Sequence, residues 1–228
     1  QSGYSFRSQA ILREQRVLGL ETAQMTGPKH GARPALLEAV DGFEFHRANP
    51  GGDGLARLAV LNQLDVIRQL RRRARSVIAA TQPDLIHAHS PCLNALGVFG
   101  LGKPVVYELR SSWEDAAVSS GTTHEGSMRY RLSRWLETQV LLRADHVTTI
   151  CEGLRAEAVR RGVDPQRITV VPNAVDAEAF AAPRTLDPEV RRRLGLENAC
   201  VLGFIGSFFA WEGLPLLVEG LTQIVVAR

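Results

Sequence analysis

Between Asp84 and Val171 the chain changes character every few residues, in a rhythm that few architectures accept. Short apolar runs at Asp84–Ala88, Pro104–Leu109, His146–Ile150 and Ile168–Val171 alternate with segments of helical periodicity at Cys92–Gly100, Ser127–Arg143 and Glu152–Arg161. Strands separated by helices and joined by right-handed crossovers form a parallel sheet covered on both faces. The expected fold class is therefore α/β. Ligands of such sheets sit at the carboxyl ends of the strands, so the residues that finish each strand are the first candidates for chemistry.

The flanks extend this pattern. Ser5–Leu18 reads as a helix stopped by Gly19, and Thr22–Thr26 as a short strand followed by a turn at Gly27-Pro28 and a loop. Phe43–His46 alternates like a strand, and Asn49–Gly54 is a break before a long helix, Leu55–Ala80, with Leu58, Leu61, Leu64, Ile67, Leu70 and Ala74 on one stripe. Arg110–Gly126 reads as a polar loop. Past Val171 the Pro172–Pro188 stretch reads as a linker, then Val190–Leu194 as helical, Cys200–Gly206 as a buried strand and Glu212–Ala227 as a helix. The expected organisation is one domain over 1–171 whose first strand is missing, a linker over 172–195 and the opening of a second α/β domain over 196–228.

Composition narrows the classes further. Of 228 residues, 45% are apolar and 22% charged, which excludes a disordered tail and a membrane-embedded chain. The balance of 27 Lys+Arg against 24 Asp+Glu leaves +3, too little to argue for nucleic acid. The basic runs also lack the interleaved aromatics that base stacking needs. Cys92, Cys151 and Cys200 have neither metal-site nor disulfide-framework spacing, which suits reduced thiols in a cytoplasmic protein. The start, Gln1-Ser2-Gly3-Tyr4, has no initiator Met and no signal-peptide pattern, as expected of a stretch inside a longer gene product.

Several residues could carry function, each with a plainer explanation beside it. Gly3 precedes the first helix, where glycine admits a close ligand and the helix N-terminus favours phosphate; it could equally be a turn glycine. His87 and His89 end a strand on one face. No third ligand has fitting local spacing, so no metal is expected. His87 reads as a satisfied core histidine, and His89, at the ligand edge, as the functional one. Glu108 and Arg110 share a face at the end of the next strand, with Trp113, Glu114 and Asp115 following. They are either an ion pair fixing the loop or an arginine fork for phosphate or sugar hydroxyls, oriented by the carboxylate. Their place at a strand end favours the fork. Arg71, Arg72, Arg73 and Arg75, and likewise Arg191–Arg193, read as solvated helix faces; for the first run, contact with anionic lipid headgroups is the alternative.

Taken in order, these segments resemble the N-terminal half of a GT-B fold glycosyltransferase of family 4. Ser2-Gly3 is similar to that family's Gly-Gly loop, and Asp84-Leu85-Ile86-His87-Ala88-His89 to its D-x-x-H-x-H strand. Ala144–Ile150 with Gly153-Leu154 resembles its AD-V-T-S-GL segment, and Val170–Asp176 its V-PNGVD motif. Gly203–Gly206 with Glu212-Gly213-Leu214 looks like the start of the nucleotide-binding domain. The loop Glu108–Ala117, with Gly121–Thr123 and Glu125–Ser127, further resembles the subgroup associated with exosortase A and PEP-CTERM exopolysaccharide loci.

The resemblance implies a Rossmann-like sheet and retaining transfer of a sugar from a nucleotide-sugar donor to a glycan or lipid-linked acceptor, without metal or other cofactor. It implies catalytic roles for Arg110 (charge stabilisation), Glu108 and His89 (hydroxyl contacts), and donor contacts at Gly3, Gly206 and Ser207. Two positions depart from the pattern. Arg110 stands where many members have an essential His, and an arginine cannot act as a general base. Ser207 and Glu212 stand where members have the Arg and Lys of a diphosphate clamp. A nucleotide-sugar epimerase and a catalytically silent membrane- or partner-binding fragment are the other readings. The stretch alone is expected to be inactive, and its second, incomplete domain to leave an apolar patch exposed or to cover it by self-association. Replacing Arg110 by alanine is expected to cost turnover and to spare stability.

Overall fold

The computed structural model describes residues 3–28, 35–48, 59–181, 188–197, 199, 201–206, 208 and 212–226. Helix α1 (Gly3–Val17) opens the chain, ahead of strands β1 (Gln24–Thr26), β2 (Leu37–Val40) and β3 (Phe43–Arg47) and the long helix α2 (Ala59–Thr81). Then come β4 (Ile86–His89), α3 (Cys92–Val98), β5 (Val105–Leu109), α4 (Trp113–Ser119), α5 (Met128–Arg143), β6 (His146–Thr149), α6 (Glu152–Arg160) and β7 (Ile168–Val170). Three further helices follow: α7 (Ala177–Ala181), α8 (Pro188–Arg193) and α9 (Leu214–Val226).

The main sheet runs β4-β5-β6-β7, parallel throughout, with its strands in sequence order. Helices between consecutive strands cover it, so the expected Rossmann-like α/β arrangement is what the chain adopts. Its core gathers Leu70 from α2, Ala95 from α3, Val105 and Tyr107 from β5, Val140 and Leu141 from α5, and Val147 from β6. Strand β5 lies inside the sheet between two parallel neighbours, and its run Val-Val-Tyr-Glu-Leu is buried at four of five positions. Apolar residues on both faces are what a doubly covered strand requires.

The first sheet departs from the expectation. It orders β1-β3-β2, and β2 pairs antiparallel to β3 where a loop was expected. Asp41 and Gly42 turn between them with φ of 50° and 78°. Two consecutive positive φ values define a tight hairpin turn, and Asp-Gly is a favoured pair for it. A second departure is α4, which occupies part of the expected polar loop. Tyr130 Oη donates to Asp115 Oδ1 at 2.9 Å, tying α4 to α5.

The expected buried strand at Cys200–Gly206 is not formed. Residues 201–206 are exposed and form no regular secondary structure, and no neighbouring strand pairs with them among the described residues. An apolar run without a ladder partner has no reason to become a strand. Cys200, Ser207, the Asn49–Gly54 break, the first four residues of the expected Leu55–Ala80 helix and part of the linker lie outside the described residues. Among the described residues no helix is long and apolar enough to cross a membrane.

Candidate active site

Register places the chemistry. His89 is the partner of Glu108 across β4 and β5, so the last residue of one strand faces the next strand's carboxylate. Two residues on, Arg110 turns its guanidinium back over the same carboxylate. Helix α1 lies across both strand ends and adds Arg7. The result is a four-residue cluster at the carboxyl edge of the sheet.

Glu108 is its centre and is buried. Its Oε1 accepts from Arg7 Nε at 2.9 Å and from Arg7 Nη2 at 2.7 Å. Its Oε2 faces Arg110 Nε and His89 Nδ1, each at 2.6 Å. A carboxylate offers about four lone-pair positions, so these four contacts satisfy it. Burial alone would raise its pKa. The hydrogen bond and charge of His89, and then those of Arg110, outweigh that and hold it well below the usual carboxylate range. Glu108 is therefore an anion at any working pH.

Arg110 is equally enclosed. Its Nη1 donates to the Tyr4 carbonyl at 3.1 Å and to Ser8 Oγ at 2.9 Å, both on α1. Its Nη2 lies 2.9 Å from His89 Nδ1. One ring nitrogen cannot donate to Glu108 and accept from Arg110 at once. The shorter, charge-assisted contact assigns the proton to His89 Nδ1, donating to Glu108. In the neutral ring that leaves Nε2 as the acceptor, and in the charged ring Nε2 donates, on a side chain 31% exposed. His89 is the member of the cluster that can meet a ligand.

Arg7 was not singled out by the sequence. Besides holding Glu108, its Nη2 donates to the Val171 carbonyl at 2.9 Å, and its Nη1 to the Pro172 carbonyl at 3.2 Å and Asn173 Oδ1 at 2.9 Å. All five of its N–H groups are used. It ties α1, the end of β5 and the Pro172-Asn173 segment into one unit. No local pattern marks such a residue, since its partners lie 101 to 166 positions away.

His87 does not fit the reading of a satisfied core histidine. Its ring lies 4.4 Å from that of His89, and its Nε2 is buried without a partner. Burial first, then the charge of His89, lower its pKa to about 4, so it is neutral at pH 7. His87, His89 and Glu108 place ligand atoms within 4.8 Å of one another. The third ligand comes from the neighbouring strand, which local spacing could not show. A divalent cation there would meet two guanidinium charges and a carboxylate already saturated, so the donor set suits an anion-lined hydroxyl site better than a metal.

The other expected site residues fall differently. Gly3 opens α1 one residue before Tyr4, and a Cβ built on it would meet nothing within 4 Å. Gly206 is exposed in the unpaired segment, and Ser207 lies outside the described residues. The Arg71–Arg75 run divides: Arg71 Nη1 donates to the Phe99 carbonyl and Arg73 Nη2 to the Leu36 carbonyl, both at 2.7 Å, while Arg72 and Arg75 are exposed. In the second run Arg191 closes on the carbonyls of Leu196 and Ala199, and Arg192 pairs with Glu189.

A second buried network lies beneath the sheet. Tyr107 Oη donates to Glu137 Oε1 at 2.5 Å, and Arg161 Nη2 to Glu114 Oε1 at 2.6 Å. Burial, with Glu114's charge adding to it, pushes Glu137 up to about 7, although the Tyr107 hydrogen bond opposes this. The expected loop residue Glu114 is thus a buried anchor for α4.

Comparison with known proteins agrees with this fold. Over 211 residues the chain is 27% identical to the D-inositol 3-phosphate glycosyltransferase of Kineococcus radiotolerans, covering 91% of this chain and 48% of that enzyme. It is 30% identical over 93 residues to the alpha-maltose-1-phosphate synthase of Mycolicibacterium smegmatis, covering 39% of this chain and 24% of that one. The chain thus spans about half the length of the first of these relatives and a quarter of the second. Among solved structures, the sucrose-phosphate synthase of Thermosynechococcus elongatus superposes with a TM-score of 0.59 at 16% identity, over 86% of this chain and 47% of that one. Anabaena HepE in complex with UDP and glucose gives 0.55 at 18% identity, over 80% and 45%. These likenesses show the N-terminal half of a GT-B fold. The family model described as "Glycosyl transferase 4-like domain" matches residues 2–174, and the chain belongs to that family.

Proposed function

We propose that the protein is a retaining glycosyltransferase that moves a sugar from a nucleotide-sugar donor to a glycan or lipid-linked acceptor. Residues 1–171 form its acceptor-side domain, residues 172–195 the linker, and 196–228 the start of the donor-side domain. The observation that carries this reading is the enclosed Glu108–His89 pair at the strand ends of a GT-B half-domain. Glu108 fixes the His89 tautomer, so Nε2 accepts a hydrogen bond from a sugar hydroxyl and holds its oxygen in place. Arg110 and Arg7 supply fixed positive charge behind that pair, the kind of preorganised field that stabilises a departing diphosphate without reorganisation. Because α1 encloses Arg110, it acts here through Glu108 and His89 rather than by gripping substrate. The chain's resemblance to the exosortase-associated subgroup supports a place in exopolysaccharide biosynthesis, in the cytoplasm and at the inner face of the membrane.

The test is donor turnover by the whole gene product, with UDP-, GDP- and ADP-sugars supplied in turn. His89→Ala and Glu108→Gln should each lower turnover at least about a hundredfold, in line with the loss of a positioned hydrogen-bonding group. Product anomeric configuration, read by NMR, reports retention. Turnover within tenfold of wild type in both variants would remove this cluster from the active site. Interconversion of the sugar epimers without transfer would make the protein an epimerase.

A further inference from the structure

Helix α5 carries its apolar residues on the wrong side for a helix that only packs against a sheet. Glu137, Val140 and Leu141 face inward and are buried. At 100° per residue, positions 128, 132, 135, 139 and 142 fall within an arc of about 80° on the opposite side. Four of these five are Met128, Leu132, Trp135 and Leu142, with 86%, 47%, 56% and 39% of their surfaces open to solvent. Isolated exposed apolar residues are commonplace, but a stripe of four large ones on a single helix face marks an interaction surface. Beside them a shallow depression is lined by Gly126, Met128, Arg131, Leu132 and Trp135.

The charges on that face are all of one sign. The exposed positions of α5 are Met128, Arg129, Arg131, Leu132, Trp135, Gln139, Leu142 and Arg143. Three are arginines and none is acidic; Glu125 and Asp145 lie just outside the helix ends. Arg129 reaches back to the Thr122 carbonyl at 3.3 Å and Arg143 lies over the Phe99 ring, so both stay beside the stripe with their charge intact. A tryptophan and aliphatic side chains flanked by arginines are the composition of a helix lying in a membrane interface, with the apolar side chains inserted and the cations at headgroup level. A second copy of the chain fits less well. A two-fold contact through this stripe would set the arginines of one copy against those of the other.

We infer that α5 is a membrane-docking face, which seats the domain on an anionic lipid bilayer through Met128, Leu132, Trp135 and Leu142, with Arg129, Arg131 and Arg143 on the headgroups. The docking face is thereby α5, rather than the arginine run of α2, half of which is spent on backbone carbonyls. This assignment stands whether or not the protein transfers sugar, because its readout is binding to lipid.

The test is co-sedimentation of the full-length protein with vesicles of phosphatidylglycerol and phosphatidylcholine in equal parts, against vesicles of phosphatidylcholine alone. Binding should need the anionic lipid and weaken as salt is raised. Trp135→Ala should weaken partitioning at least about tenfold. Arg129→Gln with Arg131→Gln should weaken it about 25-fold, at roughly fivefold for each arginine lost near the surface. These side chains point to solvent, and circular dichroism checks that each variant is folded. Arg72→Gln with Arg75→Gln, on α2, should leave binding within about twofold. Three results would each overturn the assignment: no binding to either vesicle, binding abolished by the α2 pair and not by the α5 variants, or an α5-dependent dimer without lipid affinity.

Discussion

Replacing Glu137 by glutamine should flatten the stability of the protein toward alkaline pH. The carboxyl is buried and accepts from Tyr107 Oη at 2.5 Å. Burial and then, against the Tyr107 hydrogen bond, the charge of Glu114 raise it from 4.5 to about 7. Between those two values the folded protein holds a proton that the unfolded chain has lost. Stability therefore falls with rising pH in that window. The contribution is complete below the unfolded value and gone once pH has climbed through the folded one. At about 1.4 kcal/mol per pH unit the loss comes to about 3 kcal/mol. Glutamine keeps an acceptor for Tyr107 and cannot titrate. His87, whose pKa is lowered to about 4, tilts stability the other way at acid pH, so the difference between wild type and variant is the quantity to read. Urea unfolding followed by tryptophan fluorescence, repeated from about pH 5 to about pH 8, gives that difference. Wild type should lose about 2.5 kcal/mol relative to Glu137→Gln across the series, the rest of the loss falling below about pH 5. Parallel curves would refute the reasoning, and a slope removed only by Glu114→Gln would move the proton to the other carboxyl.

Other consequences are as specific. Arg7→Lys replaces five N–H donors with three and cannot hold Glu108 and the Val171–Asn173 segment together; it should cost about 2 kcal/mol in urea unfolding, and an unchanged midpoint would show that the Arg7 contacts are idle. Arg110→Ala should cost stability as well as turnover, against the expectation from sequence, because it leaves the buried Glu108 short of a partner; a loss of about 3 kcal/mol is expected in the same assay. Gly97→Ala would drive a methyl group into Leu70 Cδ2 and to 3.1 Å from its Cγ, at the α2–α3 contact. That overpacking should lower stability by about 1–3 kcal/mol, and a thermal midpoint equal to wild type would mean that Leu70 has room to move.

What could be read from sequence divides by range. The order of strands β4 to β7 and their helices was legible because each element is written in its own residues, as alternation, apolar run or helical stripe. The β2–β3 hairpin was marked too, by Asp41-Gly42, but Leu37–Val40 before it is short and does not alternate strictly, so the pair is easily passed over as loop. Helix α4 was hidden because its residues are polar for a tertiary reason: Glu114 is buried against Arg161, 47 positions away. The apolar run from Val201 to Ile205 misled in the opposite direction. Its composition is that of a buried strand, yet a strand needs a neighbour, and none pairs with it among the described residues.

The candidate site shows the same division at the scale of single atoms. Glu108 and Arg110 could be placed at a strand end from local pattern, and His89 likewise. Their meeting required the parallel register of β4 on β5, and their enclosure required α1. That enclosure changes the chemistry each residue can do. Read alone, Arg110 is a free fork for phosphate. Packed under Tyr4 and Ser8, with Glu108 beside it, its Nε and Nη1 are committed. Glu108 is saturated by four donors, and Arg7 by five acceptor contacts. The group left to act on a ligand is the Nε2 of His89, and the rest of the cluster sets its tautomer, its position and the field around it. On the proposed reading, removing any member should cost function, even though a single side chain is open to a ligand.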